Sequence, residues 1–201
     1  MQNAQLSRRR LLQQMATISM GAGLLPITGH ASNQLQNPEP GTVYIGPGEG
    51  KKGRVGEMEI TFKLSSKETS GLLGLWESVI QPGELGAPPH FHTHTDELCR
   101  VVEGTVVVMT GAEITEVKAG GWHLRPRGLV HTFWNNGPAP ARTIDISLPG
   151  EHAYYMAELA SLFENNKRPQ PADFKRLEQK YDIHYRFDLL QAIMEKYRVK
   201  L

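Results

Sequence analysis

Two imidazoles two positions apart, a carboxylate shortly after them and a third imidazole on a separate segment constrain this chain more than any other feature. His90 and His92, in Pro88-Pro89-His90-Phe91-His92-Thr93-His94-Thr95-Asp96-Glu97, stand at i and i+2. In an extended strand those positions point to the same face. Glu97 follows a four-residue spacer, and Gly104 closes the segment. A second stretch, Gly120 to Asn135, contains Pro126, Gly128 and His131, which can add a fourth ligand from another strand. Three neutral imidazoles and one carboxylate suit a borderline divalent transition metal: iron, manganese, nickel, copper or zinc.

The surrounding pattern is all-β. Short strands are predicted at 58–64, 74–80, 98–102, 106–110, 113–118, 122–125, 131–134 and 142–148. They are separated by turn residues such as Pro82-Gly83, Gly104, Gly111, Gly120-Gly121 and Asn136-Gly137. Short strands at this spacing, with period-two patterning, argue for an antiparallel barrel or jelly roll. After Pro149-Gly150 the periodicity turns helical, with helices predicted at 154–165, 172–181 and 187–199. Such a tail packs on the outer face of the barrel, mediates dimer contacts or closes over the pocket.

The spacing is specific. The first stretch reads His-x-His-x4-Glu-x6-Gly at His90, His92, Glu97 and Gly104; the second reads Gly-x5-Pro-x-Gly-x2-His-x3-Asn at Gly120, Pro126, Gly128, His131 and Asn135. Residues 105–119 separate them. This resembles the cupin superfamily, with one departure: Glu84 stands where the family's first motif opens on Gly, and Gly83 precedes it. The resemblance implies a double-stranded β-helix with the metal inside, and it places the ligands on His90, His92, Glu97 and His131. Through Pro88-Pro89-His90-x-His92, Val102-Glu103-Gly104 and the helical tail, the region is similar to single-barrel, quercetin-dioxygenase-like cupins.

Strand alternation from Glu97 puts Cys99 on the ligand face, as a small filler or a redox-sensitive thiol, and alternation from His131 makes Phe133 a pocket wall. His94 is expected at the pocket mouth. Four ligands on a six-coordinate metal leave two open positions. A redox metal there activates an enolic or phenolic substrate toward dioxygen, whereas a non-redox metal acts as a Lewis acid. The leading expectation is a metal-dependent dioxygenase of a small aromatic or enolic compound, with Glu97 as ligand and candidate base. The alternatives are a non-catalytic metal- or ligand-binding protein and a Lewis-acid isomerase or lyase.

The first 31 residues hold three Arg and no acid, leaving 19 basic and 21 acidic side chains and a net charge of −2 on the remainder. That balance argues against nucleic acid as a partner. Ser7-Arg8-Arg9-Arg10-Leu11-Leu12-Gln13 resembles a twin-arginine export signal, and the apolar run after it is too short and too weakly apolar for a stable membrane span. The expected organisation is a signal at 1–31, an arm at 32–56 with a strand-forming run at 43–45, a barrel at 57–149 and a helical extension at 150–201. Lys51, Lys52 and Arg54 are expected in a solvated turn. A folded substrate of the twin-arginine translocase meets its metal in the cytoplasm, which favours Fe(II) or Mn(II) in a periplasmic protein. A homodimer is the default expectation for such folds. The single cysteine, Cys99, excludes an intrachain disulfide.

Overall fold

A computed structural model describes residues 41–201. The signal expected at 1–31 and the first part of the arm lie outside the described residues. In chain order the strands are β1 (Lys51–Val55), β2 (Met58–Leu64), β3 (Gly74–Ile80), β4 (His90–Phe91), β5 (Asp96–Glu103) and β6 (Thr105–Thr110). They continue with β7 (Glu113–Lys118), β8 (Trp122–Arg125), β9 (His131–Trp134), β10 (Ala141–Leu148) and β11 (His184–Tyr185). One antiparallel sheet runs β1-β2-β3-β10-β5-β8 and the other β11-β4-β9-β6-β7.

Alternation explains why these segments form half-buried strands. In β3 the odd members Gly74, Trp76, Ser78 and Ile80 are buried, and in β10 Ala141, Thr143, Asp145 and Ser147 are. One cluster joins the inner faces of both sheets, with Ile60, Trp76, Ile80 and Val101 from the first and Val106 and Val108 from the second. At roughly 25 cal/mol per Å² of apolar surface, side chains of this size each contribute about 1.5–3 kcal/mol when buried. Gly128, at φ +80°, lets the turn before β9 fold back so that its N–H donates to the His92 carbonyl at 2.7 Å. That bond ties the two motif segments together.

Two expectations about the arm are corrected. Residues 43–45 form no strand, and Tyr44 is exposed. Lys51, Lys52 and Arg54 lie in β1, an edge strand, and not in a turn. Cations on an edge strand discourage pairing with a further chain, and their lack of apolar neighbours hides the strand from a periodicity argument.

The tail contributes α1 (His152–Ser161), α2 (Pro171–Lys180) and α3 (Phe187–Tyr197). Pro171 opens α2, where its missing N–H is not needed, and Asp173 accepts from the Gln170 N–H at 2.8 Å. α3 packs Ile193 and Leu189 against Leu85, Val107 and Trp134 on the outer face of the smaller sheet. α1 does something different: Tyr155, Met156 and Leu159 belong to the interior cluster with Met58 and Trp76. The tail therefore covers the outside with one helix and closes the interior with another. No helix among the described residues is long and apolar enough to cross a membrane.

Candidate metal centre

β4 places His90 directly across from His131, the first residue of β9. His92 follows on the same side, and Glu97 projects inward from the start of β5. The ligand atoms of His90, His92, Glu97 and His131 all lie within 4.8 Å of one another, and all four residues are buried. No ion is present.

The hydrogen bonds of the three imidazoles decide what they can do. Nδ1 of His90 donates to the Pro88 carbonyl at 2.8 Å, Nδ1 of His131 to the Leu129 carbonyl at 3.0 Å, and Nδ1 of His92 to the Asp182 carbonyl. With that proton committed, each neutral ring carries a lone pair on Nε2. The Nε2 atoms of His92 and His131 are buried without any hydrogen-bond partner. They face the Glu97 carboxylate at 3.3 and 3.6 Å, lone pair toward lone pair. A cation relieves that arrangement, and Nδ1–H bonded to a carbonyl is the usual support of a metal-bound histidine. The residues present fit a divalent metal.

Burial holds His90 well below the usual histidine range, with repulsion from His131 and His92 adding to it, and burial also lowers His131. At His92 burial is outweighed by Glu97, which raises its affinity for a proton. Burial alone would raise the Glu97 carboxyl, but the Arg125 guanidinium beside it keeps it well below the usual carboxylate range.

Sequence reasoning missed three residues that shape the site. Arg125, on β8 directly across from Glu97, contacts Glu97 Oε2 at 3.1 Å and Asp145 Oδ1 at 2.8 Å. Ser78 and Thr143 donate to the other Asp145 oxygen at 3.1 and 2.7 Å. Two carboxylates against one guanidinium leave a buried excess of negative charge, which favours a cation. Inward parity along β8 could have identified Arg125. His152, at the start of α1, places Nε2 3.0 Å from Glu97 Oε1; it follows the strand pattern's end, so no periodicity pointed to it. Asp182 clamps the loop after His92. Its carboxylate accepts from the N–H groups of Thr93 and His94 at 2.8 and 2.7 Å and from the hydroxyls of Thr93 and Thr95 at 2.6 and 3.2 Å.

That clamp corrects the expectation for His94. β5 begins only at Asp96, so strand parity does not carry from His92 to His94, whose side chain is 82% exposed. Phe133 lines the cavity beside the ligands together with Trp76, Tyr155 and Met156. Cys99 does not line it; it is packed in the core, where burial and the nearby Asp145 raise its thiol pKa and make it a filler. At the departure from the motif, Gly83 takes the left-handed φ of +75° and Glu84 is buried, its carboxylate accepting from the Gln81 N–H at 2.9 Å. Asn135, the last motif residue, bonds the Ile80 and Ala139 carbonyls at 2.9 Å each, fixing the end of β9.

Residues 76–147 match the Cupin domain family. Among solved structures, a predicted oxalate decarboxylase from Thermotoga maritima is similar at 18% identity, with 53% of this chain and 99% of that one covered and a TM-score of 0.50. KdgF from a Halomonas species aligns at 19% identity over 54% and 94% of the two chains, TM-score 0.48. A sugar phosphate isomerase from Silicibacter pomeroyi aligns at 21% identity over 45% and 59%, TM-score 0.41. No curated protein sequence matches this chain. All four clustered ligands fall inside the matched stretch, whereas His152, Asp182 and the helices lie beyond it. The chain therefore has the cupin double-stranded β-helix fold, with the stretch that matches the Cupin domain at its centre.

Proposed function

We propose that this protein is a metal-dependent dioxygenase of a small aromatic or enolic compound, exported to the periplasm as a folded protein by its first 31 residues. The observation that carries the reading is the pair of buried, unpartnered Nε2 atoms of His92 and His131 facing Glu97 beside a cavity walled by Trp76, Phe133, Tyr155 and Met156. His90, His92, Glu97 and His131 would hold the metal, with Fe(II) or Mn(II) favoured. A bound redox metal of this kind supplies the one-electron chemistry that joins dioxygen to an electron-rich substrate.

The chain's own residues do the rest. Arg125 and His152 hold one Glu97 oxygen each, so the carboxylate keeps its orientation as a ligand and its negative charge. The aromatic walls exclude water from the ligands, and α1 closes the barrel interior over them. Glu97 is also the candidate base, with Arg125 and His152 setting how its two oxygens are presented.

The test combines elemental analysis of natively exported protein with an oxygen electrode and a panel of phenols and diketones. Dioxygen consumption stoichiometric with one substrate, abolished in His131→Ala, is the expected result. Turnover without dioxygen, retained when zinc replaces the native metal, would make the protein a Lewis-acid isomerase or lyase instead. Ligand affinity with no turnover on any metal would make it a binding protein.

A further inference from the structure

The cavity beside the metal ligands is too small for an organic substrate, and a cleft large enough for one adjoins it. The cavity encloses about 40 Å³. Roughly 10–15 Å³ admits one water, whereas an apolar cavity of about 150 Å³ accommodates benzene. An aromatic ring does not fit it as it stands. The neighbouring cleft measures 540 Å³, within the roughly 300–1,000 Å³ of small-molecule sites. Val55, Gly86, Pro88, Leu159 and Tyr185 belong to both walls. Tyr155 faces only the inner cavity, and its hydroxyl lies 2.6 Å from that of Tyr185. The two tyrosines form a partition between the compartments.

The cleft has an apolar wall and a charged rim. Leu85, Phe163 and Phe174 extend the apolar surface. Of the cations, Arg54 is answered by Glu57 at 3.4 Å. Lys167 and Arg168 are exposed and form no ion pair among the described residues. Glu84, on the buried side, is held by the Gln81 N–H. Among the cleft's exposed side chains, the charges without an ion-pair partner are those of Lys167 and Arg168, both positive.

We propose that this cleft binds the body of the substrate, an aromatic or enolic compound bearing an anionic group. Its ring lies against Phe163 and Phe174, its anion at Lys167 and Arg168, and the Tyr155–Tyr185 pair is the partition that separates its reacting end from the ligands. This rests on the metal-dependent reading above for the destination, but the binding step can be tested without turnover.

The probes are anilinonaphthalene sulfonate, an aromatic anion, and the uncharged N-phenyl-1-naphthylamine, titrated by fluorescence into the full chain. One site for each is expected. Lys167→Glu/Arg168→Glu, an exposed double substitution, should weaken the anion at least tenfold and the uncharged probe less than twofold, at unchanged metal content. In protein loaded with Mn(II), proton resonances of the bound anion should broaden well beyond those of the Zn(II) form. Equal responses of the two probes to the charge reversal overturn the anion assignment, and absent broadening in a metal-loaded protein overturns the connection to the metal centre. Residues 1–40 or a second copy already seated in the cleft would exclude both probes and overturn the proposal. Selective anion binding by protein that takes up no metal would support the cleft while refuting the metal reading.

Discussion

Asp182→Ala removes a carboxylate ninety positions from His92 in sequence, yet it should loosen the ligand loop. Four hydrogen bonds end on that carboxylate, from Thr93 N–H and hydroxyl, His94 N–H and Thr95 hydroxyl. Bonds to a charged group are worth about 1.5–3 kcal/mol each, so simple addition would overstate the loss. Thr93 and His94 are exposed, and their freed donors can turn to water; only Thr95 is buried. Discounting the two solvated positions leaves about 2–3 kcal/mol, at the upper end of single substitutions. For a domain of this size that lowers Tm by about 5–10 °C. The His92 Nδ1 bond goes to the Asp182 backbone carbonyl and survives the change in principle. Metal affinity should therefore fall through loop mobility, by about tenfold, while Asp182→Asn, which keeps an acceptor oxygen, recovers part of both losses. Urea unfolding and chelator competition measure the two quantities. A stability change under 0.5 kcal/mol, with metal affinity untouched, would refute the claim that the tail positions the ligand loop.

Two further outcomes follow from other buried and surface groups. His152→Ala should lower metal affinity about 10–100-fold by releasing Glu97, with His152→Gln, which retains an N–H donor, falling less; chelator competition on both variants decides it. Glu158 is held at a pKa of about 2 by its hydrogen bond from Lys180, then by Arg176 and Tyr181. Because the folded value lies below the ordinary one, its stabilisation is complete above pH 4.5 and is lost as pH falls toward 2. Solvent screening limits it to about 1 kcal/mol. Wild type should thus exceed Glu158→Gln in urea midpoint at pH 5.5, the gap closing near pH 2.

The boundaries of β2, β3, β7, β8 and β9 were readable to the residue because turn residues (glycines, a serine pair, prolines) follow each within a few positions, and β2 and β3 add an alternating pattern in sequence or burial. β4 and β11 are two residues long, too short for any period to register. The four candidate ligands were readable through the resemblance, whose two motifs they match at fixed spacing, and the register of His90 opposite His131 brings the two motif segments together. His152 and Asp182 were not, because each acts across elements whose packing no pattern in the chain specifies. The error at His94 has the same root. Parity holds only while the backbone is a strand, and the backbone after His92 is a loop pinned by a distant carboxylate.

The division between what the motif supplies and what the tail supplies bears on specificity. The His/Glu cluster that fits a divalent metal lies wholly within 76–147. What closes the barrel over that cluster lies beyond it. Here α1 closes it with His152, Tyr155, Met156 and Leu159, and β11 adds Tyr185. β11 itself is held in place by pairing with β4, the strand that carries His90. Tyr185 pairs directly with His90, so a residue bordering both the inner cavity and the neighbouring cleft and a residue of the His/Glu cluster are held by the same two-strand ladder.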